Sequence, residues 1–336
     1  MWHCGNDNEE VGRLLSYLLK RVSGLIPQLI GITLISFLVI HLAPGSPADA
    51  RSDLNPKMSF EAKEKLAKLY GLDRPVLIQY GAWLKRLSHF DFGDSFTDGE
   101  KVTKKIGHAV PVTLLVNFLS LALIFFIGIP LGIYGAVREN TPADRAITLF
   151  VMAGFAVPTF WLSLLLMSFF GVGLHWLPVS GLTSLDFDGL SGLEKVADVS
   201  KHLVLPLAVS SVTGLAGISR FMRSGMLEAL KTDFIRTARA KGLPERKVLY
   251  HHALKNALLP VVTILGLSVP GLLGGSVVFE SIFSIPGMGR LFFNSVFTRD
   301  YPVIMGILVL GAVLTLLGNL FADIAYGLVD PRIRFK

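Results

Sequence analysis

Six stretches of this chain carry no Asp, Glu, Lys or Arg: Val22–Leu42, Ala109–Val137, Ala146–Phe170, Leu203–Ser219, Ala257–Phe279 and Tyr301–Ala322. A bilayer core of about 30 Å takes about 20 helical residues, each rising about 1.5 Å. In lipid every backbone N–H and C=O must be satisfied internally, which leaves helices or closed barrels. The runs are too long and continuous for barrel strands. The pattern therefore predicts an all-α polytopic membrane protein with six transmembrane helices, of which Leu203–Ser219 is the shortest.

The first run also fits a signal peptide, since Lys20 and Arg21 precede it and Ala48-Asp49-Ala50 mimics a cleavage site. Its apolar core exceeds the usual signal length of about 7–15 residues, which favours a retained helix. Orientation follows from the basic residues. Between Arg220 and Lys255 stand nine Lys and Arg against the acids Glu228, Asp233 and Glu245. The preceding connection holds Asp186, Asp188, Glu194 and Asp198 against Lys195 and Lys201. The basic connection is expected in the cytoplasm and the acidic one outside. Six spans then place both termini in the cytoplasm. The segment 43–108 falls outside, where Ser59–Tyr70 reads as an amphipathic helix with Ser59 as N-cap and Phe60, Leu66, Leu69 and Tyr70 on its apolar side. A second helical stretch follows Pro75. A small extracytoplasmic subdomain is expected, either as a packing cap or as a docking surface.

Composition agrees with lipid: 51% of residues are hydrophobic and 17% charged, against about 25% charged in typical soluble domains. The net charge of +7 is clustered beside the spans, so it reports topology and not a nucleic-acid partner. Cys4 is the one cysteine, which excludes an internal disulfide and zinc-type spacings. No phosphate-binding G-x-x-x-x-G-K-[ST], no G-x-S-x-G and no H-E-x-x-H occurs. Adjacent His251 and His252 point apart on a helix, so no metal site is expected.

The basic connection holds the chemistry of interest, "DFIRTARAKGLPERKVLYHHALKNALLP", Asp233–Pro260. Phe234, Ala238, Ala240 and Leu243 are apolar at helical spacing. Gly242 suits a helix C-cap with positive φ, Pro244 the first turn of a new helix and Glu245 its dipole. Val248, Leu249 and Ala253 share one side of that second helix, about Pro244–Asn256. The shape is a helix–turn–helix. It serves equally for docking a partner or for packing on its own bundle.

Ala238, Ala240, Gly242, then Leu259-Pro260, resemble the EAA loop of ABC importer permeases, without the glutamate that opens the motif in many members. "HLAPGSPAD" (41–49), "GLDRPVLIQYGAWL" and "DFGDSF" in the outer segment, "FSIPGMGRLFFNSVFTRDYPVI" (283–304) and "DPRIR" (330–334) resemble the first of the two permeases in dipeptide, oligopeptide and nickel importers. The resemblance covers nearly the whole chain. It implies the type I importer transmembrane fold in a bacterial or archaeal cytoplasmic (inner) membrane. It further implies a second homologous permease, two ABC ATPase subunits and an extracytoplasmic binding protein. ATP and Mg would be bound by the ATPases, with no cofactor on this chain. The expected organisation is a cytoplasmic tail 1–21, the first helix with its subdomain 22–108, a permease core 109–326 containing a coupling loop 223–256, and a tail 327–336. Ala238, Arg239, Ala240, Lys241, Gly242, Leu243, Pro244 and Glu245 are the expected ATPase-coupling contacts. A peptide is the expected substrate, with a nickel complex or another small solute as alternatives.

Asn117 and Glu280 are polar where lipid-facing residues are apolar. Each is a candidate for lining a translocation path, and Glu280 also suits an interfacial pair with Arg290. Pro286–Gly289 reads as a turn in a re-entrant segment or in an outer loop. Gly266, Gly271, Gly274 and Gly275 permit close packing or a kink in the fifth run. Three rivals are an intramembrane enzyme, a stand-alone secondary transporter and a scaffold. The first lacks a nucleophile–base pair, and the second lacks the internal repeat it calls for.

Overall fold

A computed structural model describes residues 7–49, 60–268 and 270–329. Ser59 and the Asp330–Arg334 motif lie outside the described residues. Among them the chain is helical, and its one extended pairing is a bridge between Asp94 and Lys101. In chain order the helices are α1 Asp7–Leu42, α2 Phe60–Leu69, α3 Val76–Leu87, α4 Val102–Val137, α5 Pro142–Ala156 and α6 Thr159–Leu166. Then come α7 Gly192–Leu230, α8 Asp233–Ala240, α9 Glu245–Lys247, α10 Leu254–Ala257, α11 Leu259–Ser268, α12 Val277–Ile282, α13 Met288–Phe297 and α14 Tyr301–Val329. Four of these contain stretches long and apolar enough to cross a membrane alone; two bent pairs, counted as one span each, bring the number to six.

The bends correct two of the expected spans. Ala146–Phe170 is not one helix, because α5 stops at Ala156 and the chain turns by 103° into Thr159–Gly173. Pro158 is the cause. A proline lacks the N–H, and its ring pushes the residue before it out of the helical region; Val157 sits at φ −84°, ψ 119°. Ala257–Phe279 is likewise not one helix. The apolar pair there is Glu245–Ala257 with Leu259–Ser268, bent by 47°. Beyond it the run passes through a 3₁₀ turn, Pro270–Leu273, and a non-helical stretch before α12. Absence of charge marks lipid or burial and does not fix continuity; nor does a proline alone end a helix, since Pro27, Pro111, Pro130 and Pro206 stand inside α1, α4 and α7.

The short fourth run proves to be the middle of the 39-residue α7, opened by a capping box in which the Ser191 N–H donates to Glu194 Oε2 at 2.9 Å. At about 1.5 Å per residue such a helix outreaches a bilayer core, so its charged ends are accommodated beyond the apolar middle.

The described chain divides into two compact units, 1–110 with 291–336, and 111–290. In the first, Phe37, Trp83, Met305 and Val309 form a buried core, with the Phe37 ring stacked on His41 at 4.0 Å. Three of the quoted motifs meet here. Buried Asp300 accepts from Ser95 Oγ at 2.5 Å and from the Phe96 N–H at 3.0 Å. Arg299 Nη1 donates to Ser46 O at 3.4 Å, and a Cβ on Gly45 would run into that guanidinium. The expected helix is present as α2; on its apolar side Leu66 and Tyr70 are half-buried, whereas Phe60 and Leu69 are exposed.

The second unit has two apolar clusters. One centres on Met222, Met226, Ile235, Val248, Ala253 and Val261. The other holds Val116, Leu203, Leu205, Val209, Phe283 and Ile285.

Candidate functional site

The basic connection is anchored on one face and open on the other. In α8, Ile235 and Ala238 lie three residues apart and are buried in the cluster of Met222, Met226 and Ala229. Full burial of an isoleucine is worth about 1.5–3 kcal/mol, enough to hold so short a helix in one orientation. Phe234, one of the apolar residues at helical spacing, is exposed, and Ile235 is buried. Arg236, Thr237, Arg239 and Ala240 point away from the core.

The helix ends in a Schellman motif. The Gly242 N–H donates to Arg239 O at 2.9 Å and the Leu243 N–H to Ala238 O at 3.4 Å. Gly242 has φ +73°, which glycine adopts without a Cβ penalty. Pro244 is the cap before α9 and not its first residue, a shift of one position from the expected start. Glu245 stands in the first turn of α9, as expected for its dipole, and also bridges the bend: Arg239 Nη2 donates to Oε1 at 2.6 Å and Nε to Oε2 at 3.2 Å. Of the eight expected contacts, Ala238 is buried in the core and Leu243 half-buried, while Arg239, Ala240, Lys241, Gly242, Pro244 and Glu245 are exposed. Val248, Ala253 and Ala257 return the chain to the core.

The two polar residues expected in the path are both tied to backbone. Asn117 Nδ2 donates to Leu272 O at 2.8 Å and to Gly274 O at 3.1 Å. Glu280 is 3% exposed; its Oε1 accepts from Thr113 Oγ1 at 3.0 Å and its Oε2 from the Arg290 N–H at 3.1 Å. The expected pair with the Arg290 guanidinium is not formed, because Nη1 donates to Ser284 O at 2.5 Å. Thr113 Oγ1 also accepts the Met288 N–H at 2.8 Å. Thr113 and Asn117, one turn apart on α4, thus fasten both ends of the irregular segment. The Pro286–Gly289 turn is folded inward, with Ile285, Gly287, Met288 and Gly289 buried. A Cβ on Gly287 would lie 2.5 Å from Glu280 Oε2 and 2.5 Å from Thr113 Oγ1, and one on Gly289 would lie 2.6 Å from the Ser276 carbonyl carbon. Gly275 meets the Gly289 backbone in the same crossing, whereas Gly266 and Gly271 have open space around them.

A buried ion pair was not foreseen from the sequence. Arg223 on α7 grips Asp144 at the start of α5 with two prongs, Nε to Oδ1 and Nη2 to Oδ2, both 2.7 Å. The signal was available in "NTPAD", a cap-and-proline helix start whose Asp is one turn in. Thr141 caps α5 by accepting the Asp144 N–H at 3.4 Å. Among the described residues no group of three or more His, Cys, Asp or Glu is placed to hold a metal ion.

Known proteins match this chain over nearly its full length. The family model described as "binding-protein-dependent transport system inner membrane component" matches residues 128–335, and a companion N-terminal model matches residues 14–117. The oligopeptide transport system permease protein AppB of Bacillus subtilis is 43% identical, over 96% of this chain and 100% of that protein. The di/tripeptide transport system permease protein DppB of Pseudomonas aeruginosa is 37% identical over 96% and 100%. Among solved structures, an inward-facing MetNI methionine ABC transporter superposes with a TM-score of 0.52 at 21% identity, covering 67% of this chain and 96% of that one, a likeness of fold.

Proposed function

Because the chain belongs to the family of binding-protein-dependent transport system inner membrane components, we propose that it forms half of a translocation path for di- and oligopeptides. A second homologous permease supplies the other half. The peptide assignment rests on the permeases named above, which are similar along their whole length. Two ABC ATPase subunits bind ATP and Mg and drive the cycle, and an extracytoplasmic binding protein delivers the substrate. No covalent chemistry falls to this chain.

The observation that carries the coupling role is the two-sided build of Ala238–Glu245. Ile235, Ala238 and Val248 fix the loop to the end of α7, while Arg239, Ala240, Lys241, Gly242, Pro244 and Glu245 stand free for a partner. A loop that is rigid behind and open in front transmits a push. In this reading the loop 223–256 and both tails, 1–21 and 327–336, lie in the cytoplasm. Residues 22–108 comprise the first span and the outer subdomain, and 109–326 the permease core. ATP-driven closure of the ATPases moves the loop, and the paired permeases exchange outward and inward openings. Asn117 and Glu280 belong to the pathway wall, where they fasten the segment Leu272–Arg290.

Purification in mild detergent from the native host, followed by mass spectrometry, tests the assembly. A second permease and two ATPase chains are expected with the wild type, and loss of the ATPase chains alone with Gly242→Val. Recovery of the chain by itself from an intact preparation would favour a stand-alone transporter.

A further inference from the structure

Arg223, at the start of the basic connection, ties it to the first turn of α5 through Asp144. Arg223 follows Met222, whose side chain lies in the same cluster as Ile235, Ala238 and Val248. Asp144 stands in the first turn of α5 and is 4% exposed. Its Oδ2 also accepts the Asn140 N–H at 3.0 Å, with Asn140 held at φ +65°. The site is built to admit the pair: a Cβ on Gly135 would lie 3.3 Å from Asp144 Oδ1 and 3.4 Å from Arg223 Cδ. Farther along the same two helices the contact is close and apolar, with Gly154 set against Val212 and Ala216. Among the described residues this is the one ion pair joining α5 to α7. An apolar contact carries no directional bond, whereas a two-pronged Arg–carboxylate bond fixes distance and angle. At its other end α5 stops at the Val157–Pro158 bend.

We infer that the Asp144–Arg223 pair makes α5 and the end of α7 a single moving body, so that displacement of the basic connection reaches the bend at Val157–Pro158. Both are positioning residues, and the inference rests on the coupling role proposed for Ala238–Glu245.

The test uses the complete complex, with Cys4→Ser and spin labels on Leu149→Cys in α5 and Phe221→Cys near the end of α7, both exposed positions, in a form that still takes up tri-alanine. The label separation is expected to be the same without nucleotide and after trapping with ATP and vanadate. With Asp144→Asn it should change on trapping, and tri-alanine uptake per ATP hydrolysed should fall about tenfold, within the usual range of coupling between sites. A separation that already changes in the unsubstituted pair overturns the inference. So does an Asp144→Asn complex with constant separation and normal uptake per ATP. If Asp144→Asn does not assemble, Arg223→Lys keeps the charge without the fork and is read the same way. Failure of both to assemble would make the pair a folding lock and overturn its role in motion. The two readings fail separately: retention of ATPase chains by Gly242→Val counts against docking, whereas a moving α5–α7 separation with docking intact counts against the pair alone.

Discussion

Two arginine–carboxylate pairs lie on either side of the end of α7, and they differ in almost everything except chemistry. Arg223 holds Asp144 where the carboxylate side chain is 5% exposed; Arg239 holds Glu245 where it is 56% exposed. The first has a further N–H from Asn140 and a glycine that clears space for it. The second bridges a bend and has water around both partners. Removing charges from water costs several kcal/mol per ion unless geometry and further hydrogen bonds compensate, and the inner pair has both. The outer pair gains little from its own attraction, about 0–1 kcal/mol. It can therefore be exchanged for contacts to another chain at small cost. Burial has made one pair a fixed joint and left the other as surface.

The largest effect expected of this contrast is that of Asp144→Ala. It leaves Arg223 without its counter-charge in a mostly closed site and should destabilise the protein by about 3–5 kcal/mol. Thermal denaturation in detergent would show it. Replacing both partners by apolar residues, Asp144→Leu with Arg223→Met, should recover much of the loss. A single substitution no worse than one in the outer pair would erase the distinction. Glu280→Gln comes next. It places an amide N–H₂ where the carboxylate accepts from Thr113 and the Arg290 N–H, leaving a buried donor unsatisfied at about 1–3 kcal/mol. Lower stability with unchanged peptide preference is expected. Altered preference at unchanged stability would return Glu280 to the path.

How much of this was legible in the sequence depends on the distance over which each feature is decided. Four of the six charge-free runs and the Gly242 turn are local, and they are found where the pattern puts them. The two breaks were present as Pro158 and as Pro270 with Gly271, Gly274 and Gly275, yet absence of charge masked them, because a buried irregular segment is as apolar as a helix in lipid. The partners were not legible. Glu280 chooses Thr113 from 167 positions away and Arg223 chooses Asp144 from 79, and no local rule specifies either. The inward turn of Ile235 instead of Phe234 is a matter of helix phase, which a stretch of eight residues fixes poorly.

The glycines sharpen the comparison at an intermediate size. A Cβ on Gly242 would meet nothing within 4 Å, so the cost of Gly242→Val is that of the left-handed backbone alone, about 1–2 kcal/mol or somewhat more for a β-branched residue. Gly242→Asn should be milder, since asparagine visits that region readily. Gly287→Ala should be worse than either, because its Cβ would press on Glu280 and Thr113 in a closed site. Ranking the three by melting temperature separates a turn that needs only its dihedral from a crossing that needs its space.

The smallest effect on stability belongs to Glu245→Gln, at most about 1 kcal/mol, and it should fade between 0.1 M and 1 M salt as the screening length falls from about 10 Å to about 3 Å. Retention of the ATPase chains should respond differently. Freeing Arg239 from Glu245 changes the charge on the surface proposed to meet them while the core behind it, Ile235, Ala238 and Val248, keeps its packing. A variant with unchanged melting and altered ATPase retention places the function of the outer pair at the interface. Asp144→Ala should do the reverse, losing stability at every salt concentration. If Glu245→Gln changed melting and retention together, the bend would depend on its ion pair for shape, and the Schellman turn at Gly242 would be insufficient to hold it.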